Sequence, residues 1–143
     1  MSEKCTRFLL VEDNNAHAKL VMLQLGDSQG NVVVDRVSDG SEALDYLHRR
    51  GKFADRARPD VVLLDLKLPK VDGHEVLRQL KSDEELRLIP VVVLTTSTAD
   101  ADRNKAYANY ANSYITKPLD FEDFQNMMNS VKSYWASWNQ SLG

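Results

Sequence analysis

A few residues, far apart in the chain, have side chains suited to one piece of chemistry. Glu12 and Asp13 are adjacent acids, Asp65 is a third, Thr95-Thr96-Ser97 is a run of hydroxyls, and Lys117 is an amine followed by Pro118. Three carboxylates gathered at one place repel one another, and hard oxygen ligands with few other partners suit Mg²⁺. The metal offsets their charge and leaves room for phosphate oxygens, and a nearby ammonium adds positive charge. Such a set serves phosphoryl transfer to a carboxylate nucleophile, which needs positioning and neutralisation more than covalent help. Taken one by one, the residues have plainer explanations. Glu12 and Asp13 favour the positive end of a helix dipole, Thr95 is a common strand terminator, and Tyr114 is an ordinary strand aromatic.

The elements that must position these residues are visible as apolar runs. Phe8–Val11, Val32–Val37, Val61–Leu64, Pro90–Leu94 and Ser113–Ile115 predict five strands, and the first, third and fourth are continuously apolar, as in parallel strands buried on both faces. Segments of helical length separate them. The first places Ala16, Leu20 and Leu23 on one face. The second opens on Asp39 with Glu42 three residues on, and the third repeats the device with Asp72 and Glu75. The last opens at Asp120. Alternating strands and helices predict right-handed crossovers and one doubly wound α/β domain over residues 1–143, without repeat or linker. In such a sheet, ligands bind beyond the carboxyl ends of the strands. Glu12-Asp13 ends strand one, Asp65 strand three, Thr95-Thr96-Ser97 strand four and Lys117 strand five, so all of them meet at one edge.

The runs LLVEDN (Leu9–Asn14), VVLLDLKLPKVDG (Val61–Gly73), VVVLTTS (Val91–Ser97) and YITKP (Tyr114–Pro118) resemble the receiver domain of bacterial response regulators. The likeness covers roughly residues 6–132 and holds in order, motif by motif. It implies a flavodoxin-like sheet of five parallel strands in the order 2-1-3-4-5, with helices on both faces. It implies that Asp65 is the phosphoacceptor, that Asp13 binds Mg²⁺ directly and Glu12 through a water, and that the backbone carbonyl of Lys67 completes the protein ligands. Thr95 matches the hydroxyl that moves toward the phosphoryl group, Lys117 the amine that pairs with its oxygens, and Tyr114 the switching aromatic. The Lys117–Pro118 peptide matches one usually found cis. The donor implied is a histidine kinase. The loop Gly51–Asp60, the LTTS run and the long last helix are closer in look to the small regulators paired with phytochromes, which implies a phytochrome-type light sensor as that kinase.

Two other functions fit the residues less well. A haloacid-dehalogenase-like phosphatase needs a second acid two residues after its nucleophile, and Lys67 stands there. A flavodoxin-like cofactor binder needs a Ser/Thr/Gly-rich phosphate loop after strand one, where Glu12-Asp13-Asn14 repel phosphate. Within the receiver reading, signalling to a protein target, a phosphorelay shuttle and a phosphate sink all stay open. The 143 residues, about 43% apolar and 27% charged, fit one soluble domain, and too few follow Lys132 to fold an output domain. A net charge of -3 offers no general attraction to nucleic acid or membrane, the single Cys5 suits a reducing cytoplasm, and no run reaches membrane-span length. No signal-peptide stretch is expected at the N-terminus.

Lesser features complete the reading. His17, His48 and His74 lack metal-ligand spacing, and His17 reads as a solvated helix position sooner than a site contact. Arg49, Arg50, Lys52, Arg56 and Arg58 read as a solvated basic loop. Lys67 and Ser97 flank the expected phosphoryl group, Lys67 as a cation and Ser97 offering no carboxylate to orient water, so Lys67→Asn or Ser97→Glu is expected to hasten phosphate loss. Phe121, Phe124, Met128, Val131, Trp135 and Trp138 recur at spacings of three and four, predicting an apolar seam that runs past the domain and forms a homodimer.

Overall fold

The computed structural model describes residues 5–26 and 30–140. Strands β1 (Thr6–Val11), β2 (Val32–Val37), β3 (Val61–Leu64), β4 (Val91–Thr95) and β5 (Ser113–Thr116) form one parallel sheet in the order β2-β1-β3-β4-β5. Helices α1 (Asn15–Leu25), α2 (Gly40–Leu47), α3 (Gly73–Ser82), α4 (Asp100–Ala108) and α5 (Phe121–Ser133) alternate with the strands. This is the doubly wound, flavodoxin-like arrangement expected from the sequence. Pro90 lies just outside β4, where its missing N–H costs nothing and its carbonyl accepts from Val62 N–H at 3.0 Å.

Side chains alternate across the central strands, and each set meets its own helices. Leu9, Val11, Val62, Leu64, Val91 and Val93 pack against Ala43, Leu44 and Leu47 of α2, Val76, Leu77 and Leu80 of α3, and Ala106 of α4. Phe8, Leu10, Val61, Leu63, Val92 and Leu94 pack against Ala18, Val21 and Leu25 of α1 and Phe124, Met128 and Val131 of α5. The buried face of α1 is therefore Ala18-Val21-Leu25, not the Ala16-Leu20-Leu23 stripe, and Leu23 is 66% exposed. That segment carries apolar residues on two stripes, so periodicity alone does not choose between them; the sheet does.

The helix starts follow the expected capping chemistry. Asp39 accepts the Glu42 N–H at 2.8 Å, Asp72 the Glu75 N–H at 2.9 Å, and Asp120 the Asp123 N–H at 3.0 Å. Asn14 does the same for α1, accepting the His17 N–H at 3.0 Å. Past α5 the chain widens into a π turn over Tyr134–Trp138, closed by the Asn139 N–H on the Tyr134 carbonyl. A π turn advances fewer degrees per residue than an α turn, which breaks the three-four seam. Trp135 turns back onto the β1/β3 core face while Trp138 stays 77% exposed, so the seam does not continue as one stripe.

Candidate phosphoacceptor site

β1 and β3 end level with each other, β4 and β5 run two residues further, and this register places the functional side chains. Val11 pairs with Leu64, so Glu12 and Asp65 leave the sheet side by side, joined by the Asp65 N–H on the Val11 carbonyl at 3.0 Å. Thr95 pairs with Thr116, and the Lys117 N–H donates to the Thr95 carbonyl at 2.7 Å. Carboxylate oxygens of Glu12, Asp13 and Asp65 lie within 4.8 Å of one another, a spacing that suits a divalent cation held by hard oxygen ligands. Asp13 is exposed, while Glu12 and Asp65 are buried. The Lys67 N–H turns back to Asp65 Oδ1 at 3.3 Å and so folds the loop beside the acid.

Lys117 is 5% exposed and carries its charge into this cluster. Its Nζ donates to Glu12 Oε1 and, at 3.4 Å, to Asp65 Oδ2. Glu12 Oε2 accepts the Asn14 N–H at 3.1 Å, so both of its oxygens are already occupied. Burial pushes the Glu12 carboxyl above its ordinary value and the Asp65 charge adds to this, while the Lys117 and Asn14 hydrogen bonds pull it back. Three acids and one ammonium leave the cluster short of positive charge, a deficit that a bound divalent cation would offset. Lys117–Pro118 is trans, since no peptide bond among the described residues is cis; the lysine reaches both acids in that form. Trans is also the lower-energy isomer of an X–Pro bond.

The hydroxyl and the aromatic sit on the flank. Thr95 is fully buried, and its Oγ1 accepts the Ser97 N–H at 3.4 Å. Tyr114 is partly buried on the core face shared with α3 and α4, and its hydroxyl donates to the Ser97 carbonyl at 3.0 Å. Ser97 Oγ donates to Asp102 at 2.6 Å, and Asp102 also meets His74 Nε2 at 3.0 Å. Those two hydrogen bonds hold the Asp102 carboxyl below its usual range. A carboxylate therefore stands beside Ser97 after all, supplied by α4. The pairing spans the 28 residues between His74 and Asp102, beyond the reach of sequence patterning.

His17 also departs from expectation. Its Nδ1 lies 3.1 Å from Lys117 Nζ, so it belongs to the site and is no free surface residue. Burial, helped by the Lys117 charge, lowers its affinity for a proton. The basic loop is solvated as expected: Arg49, Arg50, Lys52, Arg56 and Arg58 are all exposed, and surface ion pairs join Arg50 to Asp45, Lys52 to Glu42, Arg56 to Asp35 and Arg58 to Glu85.

The response regulator receiver domain model matches residues 8–129. The chain belongs to that family. This receiver is 54% identical over 135 residues to "Probable methanogenesis regulatory protein FilR2" of Methanothrix harundinacea, covering 94% of this chain and 86% of that one. It superposes on the phosphorylated cyanobacterial phytochrome response regulator RcpA with a TM-score of 0.93 and 40% identity, covering 97% and 99% of the two chains. The Mn²⁺-bound form of response regulator Rcp1 matches with a TM-score of 0.91 and 36% identity, over 96% and 99%. The receiver is thus a response regulator of the two-component type, similar in sequence and fold to phytochrome-associated members. No helix among its described residues is long and apolar enough to cross a membrane.

Proposed function

We propose that this response regulator accepts a phosphoryl group from a partner histidine kinase on Asp65. The observation that carries the reading is Asp65 at the end of β3, within carboxylate range of Glu12 and Asp13 and in contact with the buried Lys117 ammonium. The phosphohistidine N–P bond breaks as a P–O bond forms to an Asp65 oxygen, and the imidazole leaves with the electron pair. Asp13, Asp65, the Lys67 backbone carbonyl and, through water, Glu12 would hold Mg²⁺, which supplies positive charge for the equatorial phosphoryl oxygens. Lys117 pairs with one of those oxygens. Thr95 turns from Ser97 toward the new phosphoryl group, and the Ser97 carbonyl then releases the Tyr114 hydroxyl.

Residues 1–143 act as one cytoplasmic receiver domain with an extended last helix, signalling through protein contacts and turning over no substrate beyond slow loss of its own phosphate. Similarity to RcpA supports a phytochrome-type kinase as donor, and similarity to FilR2 supports a kinase serving another stimulus. A shuttle or sink role would use the same chemistry. The exposed Trp138, Phe121 and Leu119 favour a second copy as one protein contact. With Mg²⁺ and a small phosphodonor, the wild type should gain a base-labile acyl phosphate, while Asp65→Asn folds but is not labelled. Labelling of Asp65→Asn at the wild-type rate, or labelling unaffected by chelation, would overturn the proposal.

A further inference from the structure

An ammonium has three donors, and Lys117 is too buried for water to complete its set. Glu12 Oε1 takes one proton and Asp65 Oδ2, at 3.4 Å, a second. The third acceptor is His17 Nδ1, at 3.1 Å. Accepting there requires an unprotonated Nδ1, so the neutral imidazole carries its proton on Nε2. The first turn of α1 is built to present the ring. Asn14 caps the helix through the His17 N–H, and the Asn14 N–H is itself held by Glu12 Oε2. One short segment thus ties the lysine's acid partner and its imidazole partner into a single support.

We infer that His17 is a positioning residue for phosphoryl transfer, the third acceptor that fixes Lys117 Nζ against the phosphoryl group on Asp65. The inference rests on the reading of Asp65 as phosphoacceptor. The Asp65 contact is the longest of the three contacts of Nζ and is the one a phosphoryl oxygen replaces. Glu12 and His17 then keep the ammonium in place from β1 and α1. Removing the imidazole leaves one buried N–H without a partner, so Lys117 rotates away or admits water, and the charge is no longer preset for the transition state.

The test compares initial rates of Asp65 labelling by acetyl phosphate at saturating Mg²⁺ in the wild type, His17→Ala and His17→Gln, together with ¹⁵N spectra of the His17 ring. His17→Ala should fold normally and label about 5- to 10-fold more slowly, the rate equivalent of one hydrogen bond. His17→Gln, whose side-chain carbonyl can accept, should recover much of that loss. The ring should show the Nε2–H tautomer, with an Nδ1 signal that shifts in Lys117→Met. Labelling of His17→Ala at the wild-type rate, or an Nδ1 signal indifferent to Lys117→Met, overturns the role of His17. Absence of labelling in the wild type would instead overturn the phosphoacceptor reading itself.

Discussion

Gly73 shows how little space surrounds Asp65, the proposed phosphoacceptor. A Cβ on Gly73 would stand 2.3 Å from the Asp65 carbonyl oxygen and 2.5 Å from Leu66 Cα, both backbone atoms that cannot rotate aside. Its N–H meanwhile donates to the Leu66 carbonyl at 2.8 Å, locking the start of α3 onto the end of β3. Gly73→Ala should therefore cost about 1–3 kcal/mol in urea unfolding and slow Asp65 labelling, because α3 or the Asp65 loop must shift. Unchanged stability and rate would show that the contact relaxes freely. Glu12, Asp13, Asp65 and Lys117 were legible because each ends a strand whose apolar run is plain in the sequence. His17 and Asp102 were not. Their meaning depends on Lys117, 100 residues from His17, and on His74, 28 residues from Asp102, and no local pattern reports such partners.

Helix starts were the most legible elements, since a cap and the N–H it accepts lie within one turn. At α2 the Glu42 carboxylate accepts the Ser38 N–H at 3.1 Å and the Ser38 hydroxyl at 2.9 Å. These bonds hold its carboxyl below the ordinary 4.5. Because the folded value lies below the unfolded one, the contribution is complete above about pH 4.5 and is lost as pH falls through the folded value. Glu42→Gln should thus be less stable by about 1 kcal/mol at neutral pH, with the gap closing in acid. Urea melts at several pH values check this, and a gap that widens in acid would contradict it. The buried stripe of α1 was illegible for the opposite reason: Ala16-Leu20-Leu23 and Ala18-Val21-Leu25 are both helical stripes, and only packing on Phe8, Leu10 and Leu63 selects the second.

The fold places the two C-terminal tryptophans in different surroundings. Trp135 packs on its own core beside Ala136, whereas Trp138 is 77% exposed. Trp135→Ala should lower stability by about 1–3 kcal/mol, while Trp138→Ala should leave stability alone and shift a dimer toward monomer in sedimentation at micromolar concentration. A wild type that stays monomeric with and without phosphorylation would defeat the proposed dimer. Alternation of strand and helix predicts parallel strands and right-handed crossovers, and the order of the strands follows only from the resemblance to receiver domains; the π turn that parts the tryptophans was not legible, since its residues keep a three-four spacing up to the last turn. The phosphoacceptor claim itself is tested most directly by chemical trapping. The receiver is labelled with a phosphodonor and Mg²⁺, reduced with borohydride, which converts an aspartyl phosphate to homoserine, and sequenced by tandem mass spectrometry. Homoserine at position 65 alone is the predicted result; homoserine at position 13, or at no position in a labelled sample, would contradict it.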